Sequence, residues 1–235
     1  MTIELKPRKM VVFLFTLVGL VVVANVLALV STYVFGRNYV HGLVPLFSVD
    51  QEENVPTYVA SAMWLISAML AFTIAAAEKI SRRSYLYWGG LCLICLFISV
   101  DEFTAFHERV VNTAVRGPSP QSYFVSWVVA YSFVVVAVAL VFGRFVLKLP
   151  SEIRRLVIIA GVIYVVGAMG FEELSGVYLT THDGHCGVGY YLSTLVEETL
   201  EMTGVVTLIY ALMSYAAKYA AGGGLTLRIG PARAD

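Results

Sequence analysis

Val100-Asp101-Glu102-Phe103-Thr104-Ala105-Phe106-His107-Glu108 places three carboxylates and a histidine directly after an apolar run, residues 91–100. The run is long enough to lie inside a bilayer, where a charged side chain is costly. An ionisable group in such a place is therefore a hypothesis for a functional site. Two later apolar segments repeat the pattern, one with Glu172-Glu173 and one with Glu197-Glu198-Thr199-Leu200-Glu201.

The composition of the whole chain is that of a membrane protein. Of its 235 residues, 59% are hydrophobic and 14% are charged, and the mean hydropathy is +0.79. Soluble domains contain roughly 25% charged residues. At about 20 apolar residues per crossing, the length has room for about six helices and for no separate soluble domain. The formal net charge of +0 gives no indication of nucleic-acid binding.

The apolar runs predict an all-α, polytopic membrane bundle of six transmembrane helices that forms a single domain, residues 1–235. Asn54 and Pro56 are typical of a helix start, and the glycines at 222–224 are typical of a helix end. The first run is too long for the apolar part of a signal peptide, so we expect it to be retained. The predicted helices 1 to 6 span about 10–35, 56–78, 84–109, 123–146, 153–178 and 188–219.

The basic residues predict the orientation of this bundle. In a six-helix topology most of them fall on one side, and only Arg37, Arg109 and Arg116 fall on the other. The positive-inside rule then places both termini in the cytoplasm. The residues on the predicted cytoplasmic side are Lys6, Arg8, Lys9, Lys79, Arg82, Arg83, Arg144, Lys148, Arg154, Arg155, Lys218, Arg228 and Arg233.

With this topology, the three acidic groups converge on the outer half of the membrane. At 1.5 Å per residue, Asp101 lies about 25 Å along a core of ~30 Å, and Glu172 lies at a similar height. Predicted helix 6 enters from outside, which places Glu197 roughly 13 Å and Glu201 roughly 20 Å along it. We therefore expect an inward-facing acidic layer, because carboxylates that face lipid would be destabilising.

Helical phase indicates which side chains of this layer can meet. On predicted helix 3, Asp101, Thr104 and Glu108 share a face with His107 on its flank, whereas Glu102 points about 100° away and could pair with Arg109. Only one of the pair Glu172 and Glu173 can face a given point. On predicted helix 6, one stripe of about 120° contains Tyr190, Thr194, Glu197, Glu198, Glu201 and Gly204.

Carboxylates this close together cannot all be ionised without a positive charge, so either some are protonated or a metal or other cation neutralises them. Glutamate-rich bundles with histidines hold di-iron sites, but the Glu-x-x-His pairs of those sites are absent from this sequence. A divalent metal, iron or zinc, is the cofactor that such a ligand set would take. The predicted metal ligands are Asp101, His107, Glu108, Glu172, Glu197 and Glu201. Further candidates that could orient or complete the site are Glu102, Thr104, Glu173, Tyr190, Thr194, Glu198, Asp50, Glu52, Asn54, His182 and His185.

Three functions and one purely structural interpretation remain open at this point. The leading hypothesis is a metal- or cation-binding membrane protein, in one form a metalloenzyme that acts on a lipid, quinone or other apolar substrate. The alternatives are a non-catalytic subunit of a larger membrane complex and a proton or cation pathway. The acids could also serve only polar packing or interfacial pairing. Cys92 and Cys95 lie within an apolar helix and are interpreted as packing residues.

Several short motifs carry a resemblance to a known family. They are Asp50-x-Glu52-x-Asn54-x-Pro56-Thr57, Asp101-Glu102 with His107-Glu108, and Glu197-Glu198-x-x-Glu201-Met202-x-Gly204. In these motifs the chain resembles a widespread, functionally uncharacterised family of bacterial multi-pass inner-membrane proteins. The resemblance implies location in the bacterial inner membrane, and it implies that the segment containing Asp50 belongs with the helix motifs. It implies no activity, substrate or cofactor.

Overall fold

The computed structural model describes residues 2–4, 6–80, 85–106, 124–220 and 226–228. Within these ranges six helices are long and apolar enough to cross a membrane, as the sequence predicts. The fifth of them is continuous from Ser151 to Thr181 but contains a π-helical segment, Val166–Phe171. The elements are β1 (Thr2–Glu4), α1 (Pro7–Tyr33), α2 (Leu43–Phe47), α3 (Val55–Ile80), α4 (Tyr85–Thr104), α5 (Phe124–Lys148), α6 (Ser151–Val165), the π-helical segment, α7 (Glu172–Thr181), α8 (Val188–Lys218) and β2 (Thr226–Arg228).

The end of α4 differs from the predicted helix 3, which runs to about residue 109. The regular helix ends at Thr104, and Ala105 has a left-handed backbone with φ of 49°. A residue other than glycine in this conformation commonly interrupts a helix. The prediction that Asp101, Thr104 and Glu108 share one face assumes an unbroken helix, so it applies only as far as Thr104. His107 and Glu108 lie outside the described residues.

Helix α8 is the centre of the bundle. It packs against α1, α3 and α6, and nearly every side chain of its second half is buried. A helix that is apolar on all sides is suited to burial, either among other helices or in lipid. The other closely packed pair is α3 and α4, whereas α5 lies at the periphery and none of its described side chains is buried.

The contact between the fifth membrane-spanning helix and α8 depends on two glycines. A Cβ on Gly204 would lie 3.0 Å from the carbonyl oxygen of Ala160 and 3.0 Å from the backbone nitrogen of Tyr164. A Cβ on Gly167, in the π-helical segment, would lie 2.9 Å from the carbonyl oxygen of Glu197. Small residues allow membrane helices to approach this closely and to gain van der Waals contact that lipid cannot supply. The two helix backbones therefore touch at two successive levels.

Buried polar groups are hydrogen-bonded across helices. The hydroxyl of Ser61 donates to the carbonyl oxygen of Ser99 (2.7 Å), and the hydroxyl of Ser99 donates to the carbonyl oxygen of Ser61 (2.9 Å). This reciprocal pair ties α3 to α4. Near the other end of α3, the hydroxyl of Tyr215 on α8 donates to the buried carboxylate of Glu78 (3.1 Å). Such bonds stabilise membrane helix pairs because lipid offers no alternative partner.

The two ends of the bundle have different features. Strands β1 and β2 pair antiparallel, with Thr2 opposite Arg228, and the end of the bundle that carries these two strands is called the terminal end. At that end the ammonium group of Lys218 and the hydroxyl of Tyr219 each donate a hydrogen bond of 2.8 Å to the carboxylate of Glu152. The bond from Tyr219 raises the pKa of its phenol. The opposite end carries α2 and the loop 182–187, and we call it the acidic end.

The close helix contact gives a prediction for stability. We expect Gly204→Leu to lower the thermal unfolding temperature of the protein in detergent, because its side chain must push apart two backbones at a cost of about 1–3 kcal/mol. Gly19→Leu is the matched control, since no atom lies within 4 Å of a Cβ at Gly19. Equal unfolding temperatures for the two variants would contradict the close contact.

Candidate functional site

A cavity of about 1260 Å³ lies between α3, α4, α5, the fifth membrane-spanning helix and α8. It extends along α8 from Tyr190 to Leu208, which is roughly 27 Å at 1.5 Å per residue. Its volume exceeds the ~300–1,000 Å³ of most small-molecule pockets. The ionisable and hydroxyl side chains that line it are Asp50, Glu52, Asp101, Glu102, Tyr131, Tyr164, Glu172, Ser175, Tyr190, Thr194, Glu197, Glu198 and Glu201.

The polar side chains line the half of the cavity that is nearer the acidic end. Toward the terminal end the described lining is apolar, with Trp88, Leu91, Phe142, Phe145, Leu149, Val157 and Leu208 as examples. Among the described lining residues there are eight carboxylates and no Lys, Arg or His. The cavity is therefore amphipathic along its length, with acidic groups at one end and hydrocarbon at the other.

Glu201 lies in the same region as four other glutamates. Its side chain lies within electrostatic range of Glu102 on α4, Glu172 on α7, and Glu197 and Glu198 on α8. Interactions between charges are strong in a medium of low dielectric constant. Three separate helices thus bring glutamates to one region of the membrane-spanning bundle.

Glu102 faces this region, although helical phase predicts that it points about 100° away from Asp101. Its carboxylate accepts a hydrogen bond from the hydroxyl of Tyr164 on α6 (3.3 Å). Both Asp101 and Glu102 line the cavity, although 100° separates them on the helix. The cavity is wide enough to contact both positions, so helical phase alone does not exclude either of them. Arg109 lies outside the described residues.

Aromatic side chains line the cavity at the level of the carboxylates, and sequence reasoning missed three of them. Trp64 and Tyr164 meet edge to face with ring centroids 5.0 Å apart. Tyr131 lies within electrostatic range of Asp101. The indole Nε1 of Trp64 has no hydrogen-bond partner in the described part of the chain. The signal available in the sequence was a tyrosine within an apolar run, at Tyr131 and at Tyr164. The first run is considered only for packing, and the second only for its acids.

A π-helical segment adjoins the cavity directly before Glu172. A π-helix inserts an extra residue into a turn, and such segments are frequent at functional sites. Here it lies directly before Glu172 and contains Gly167, which packs against the backbone of α8 beside Glu197. A Cβ on Gly167 would lie 3.1 Å from the Cγ of Glu201. The same glycine contact therefore fixes Glu197 and Glu201 against the helix that carries Glu172.

The loop before α3 covers the acidic end of the cavity. Asn54 holds the loop together, because its amide donates to the carbonyl oxygens of Ser48 (2.5 Å) and Gln51 (2.7 Å). Asp50 and Glu52 line the cavity, and the hydroxyl of Tyr190 on α8 donates to the carboxylate of Asp50 (2.6 Å). Asn54 thus has a structural role in the loop, and the two acids lie at the site.

The structure does not bring every candidate residue to the cavity. Thr104 donates to the carbonyl oxygen of Val100 (2.8 Å), and Glu173 is absent from the described lining. His182 is exposed and stacks on the ring of Tyr178, with centroids 4.0 Å apart, and His185 is also exposed. In the ranges that the structure describes, no group of three or more His, Cys, Asp and Glu side chains could hold a metal ion. The carboxylates surround a cavity and do not converge on one point.

Comparison with known proteins identifies the family to which the chain belongs. Residues 12–215 match the family described as Domain of unknown function (DUF8692). The chain belongs to this family. The match covers four of the six candidate membrane-spanning helices completely; it begins within α1 and ends within α8. No curated protein and no solved structure matches the chain.

The bond between Tyr190 and Asp50 gives a prediction for the loop. We expect Tyr190→Phe to increase amide hydrogen exchange in residues 48–54, because the loop loses a charge-assisted hydrogen bond of about 1.5–3 kcal/mol. Tyr191→Phe is the matched control, since Tyr191 contacts Tyr33 on α1. Unchanged exchange in Tyr190→Phe, or an equal increase in both variants, would contradict this role of Tyr190.

Proposed function

We propose that the chain is a multi-pass protein of the bacterial inner membrane, with both termini in the cytoplasm, whose cavity binds a cation at the acidic end. The observation that carries the proposal is the position of Glu201 among four other glutamates inside a membrane-spanning bundle. Intramembrane carboxylates are costly and mark binding sites or ion paths by default. A bound cation stabilises such a group of acids when they face a common cavity.

Two kinds of bound cation are considered, a divalent metal and an organic ammonium group. A metal such as iron or zinc requires several ligands at about 2 Å from one point. The described side chains are arranged too widely for this, so a metal would need His107, Glu108 or a rearrangement. An ammonium group has no such requirement, and aromatic faces near carboxylates favour it further. Trp64, Tyr131 and Tyr164 supply these faces.

Binding is favoured over a proton or cation pathway. A pathway needs polar groups that continue through the membrane. The described lining becomes apolar toward the terminal end, around Trp88, Phe145 and Leu208. An ion that reached the carboxylates from the acidic end would have no polar route onward along this wall.

The test is thermal unfolding of the detergent-purified protein at constant ionic strength, with Mn²⁺, Zn²⁺, Fe²⁺ or tetramethylammonium added. A cation at 100 times its dissociation constant should stabilise the folded state by about 2.7 kcal/mol. We expect at least one of these cations to raise the unfolding temperature of the wild type and of Glu173→Gln. The increase should be lost in Glu197→Gln and in Glu201→Gln.

Glu173→Gln is the matched control because it removes a neighbouring carboxylate that does not line the described cavity. Elemental analysis of the purified protein separates the two sources of charge. Metal at a stoichiometric amount would support a metal site. A rise in unfolding temperature with tetramethylammonium, in protein that contains no metal, would support an ammonium site. No increase with any cation, or the same increase in all variants, would contradict the proposal. Co-purification of a stoichiometric partner protein without cation binding would favour the role of a complex subunit.

A further inference from the structure

The volume of the cavity is larger than a cation alone requires. The half of its length that lies beyond the carboxylates is lined by hydrocarbon side chains of α4, α5 and α6, such as Ile94, Val138 and Val157. A small cation would occupy only the acidic end and would leave the apolar part exposed. Apolar surface gains free energy when an apolar group covers it. The shape of the lining thus fits a molecule with one charged end and one long apolar end.

Among the described residues, the cavity is open to the side between α4 and α5. These helices meet near the terminal end, where Phe142 and Phe145 contact Tyr87 and Trp88. In the described residues, α4 and α5 are not among the closely packed helix pairs. Two side chains that line the cavity between them, Phe97 on α4 and Val134 on α5, are 52% and 55% exposed. In a bilayer this opening would face lipid, so an apolar molecule could enter without crossing water.

We propose that the occupant is an amphiphile of the membrane with a positively charged ammonium head group and a long hydrocarbon chain. The ammonium group would lie among Glu102, Glu197 and Glu201, beside the rings of Trp64 and Tyr164. The chain would extend toward Phe145. An anionic or phosphate-bearing head group would be repelled by the same carboxylates. This inference rests on the proposed cation site, and it names the class of molecule that carries the cation.

The experiment uses the full chain in nanodiscs with small, equal mole fractions of hexadecylamine, hexadecanol or palmitate. Native mass spectrometry then measures how much of each remains bound. We expect about tenfold more amine than alcohol or palmitate on the wild type, the order expected for a desolvated cation beside aromatic rings and carboxylates. Glu201→Gln should remove the preference for the amine over the alcohol.

Two valines of α5 test the path of the chain. Val138 lines the cavity, whereas Val141, three residues away, is 60% exposed and does not line it. We expect Val138→Trp to reduce bound hexadecylamine at least about fivefold, because the ring fills the volume of the chain. Val141→Trp should bind as the wild type does.

The outcomes separate this inference from the cation site. If tetramethylammonium stabilises the wild type and Val138→Trp equally, and only hexadecylamine binding is lost, both proposals are supported. If the cation response is present but amine, alcohol and palmitate bind equally, or both tryptophan variants behave alike, the amphiphile is wrong and the cation site stands. If a second protein chain occupies the cavity and no amine binds, the amphiphile proposal is also wrong. If no cation response exists, both proposals fail.

Discussion

The backbone contact between the fifth membrane-spanning helix and α8 positions most of the other features. Gly167 and Gly204 allow it, because a side chain at either position would meet backbone atoms at about 3 Å. The contact fixes the stretch of α8 that carries Glu197 and Glu201 against the helix that carries Tyr164 and Glu172. Without a hydrophobic driving force between helices in lipid, such small-residue contacts hold a bundle together. The acidic layer is therefore built on the most tightly packed part of the molecule.

That arrangement explains how the bundle tolerates so many intramembrane acids. The second half of α8 is buried on all sides and supplies packing, while its first half presents carboxylates to a cavity. On the far side of the cavity α5 packs lightly, so the wall that faces the acids is the least constrained of the described helices. Residues that bind ligands commonly stabilise the fold less than residues chosen only for packing would. The closely packed wall formed by α8 and the weakly packed wall formed by α5 therefore lie on opposite sides of the cavity.

The sequence predicts the six membrane-spanning helices well, because hydropathy depends on composition over about 20 residues and needs no tertiary information. It also predicts which helices carry the acids. It does not predict the π-helical segment at Val166–Phe171 or the left-handed Ala105, since each depends on local backbone geometry that the apolar pattern does not encode. Helical phase also does not exclude Glu102 from the site, because the cavity is wide enough to contact both this residue and the preceding aspartate. Tyr164 and Trp64 are missed because an aromatic residue in an apolar run is usually a packing residue.

The most direct test of the account is chemical mapping of the intramembrane carboxylates in intact membranes. A hydrophobic carbodiimide that reaches protonated carboxyl groups from lipid would be applied with and without the cation identified by thermal unfolding, and the modified residues would be located by mass spectrometry. We expect modification of Glu102, Glu197 and Glu201 that the cation suppresses, with no cation-dependent change at Glu173. Modification of Glu173 with none at Glu201, or modification of Glu201 that the cation leaves unchanged, would contradict it.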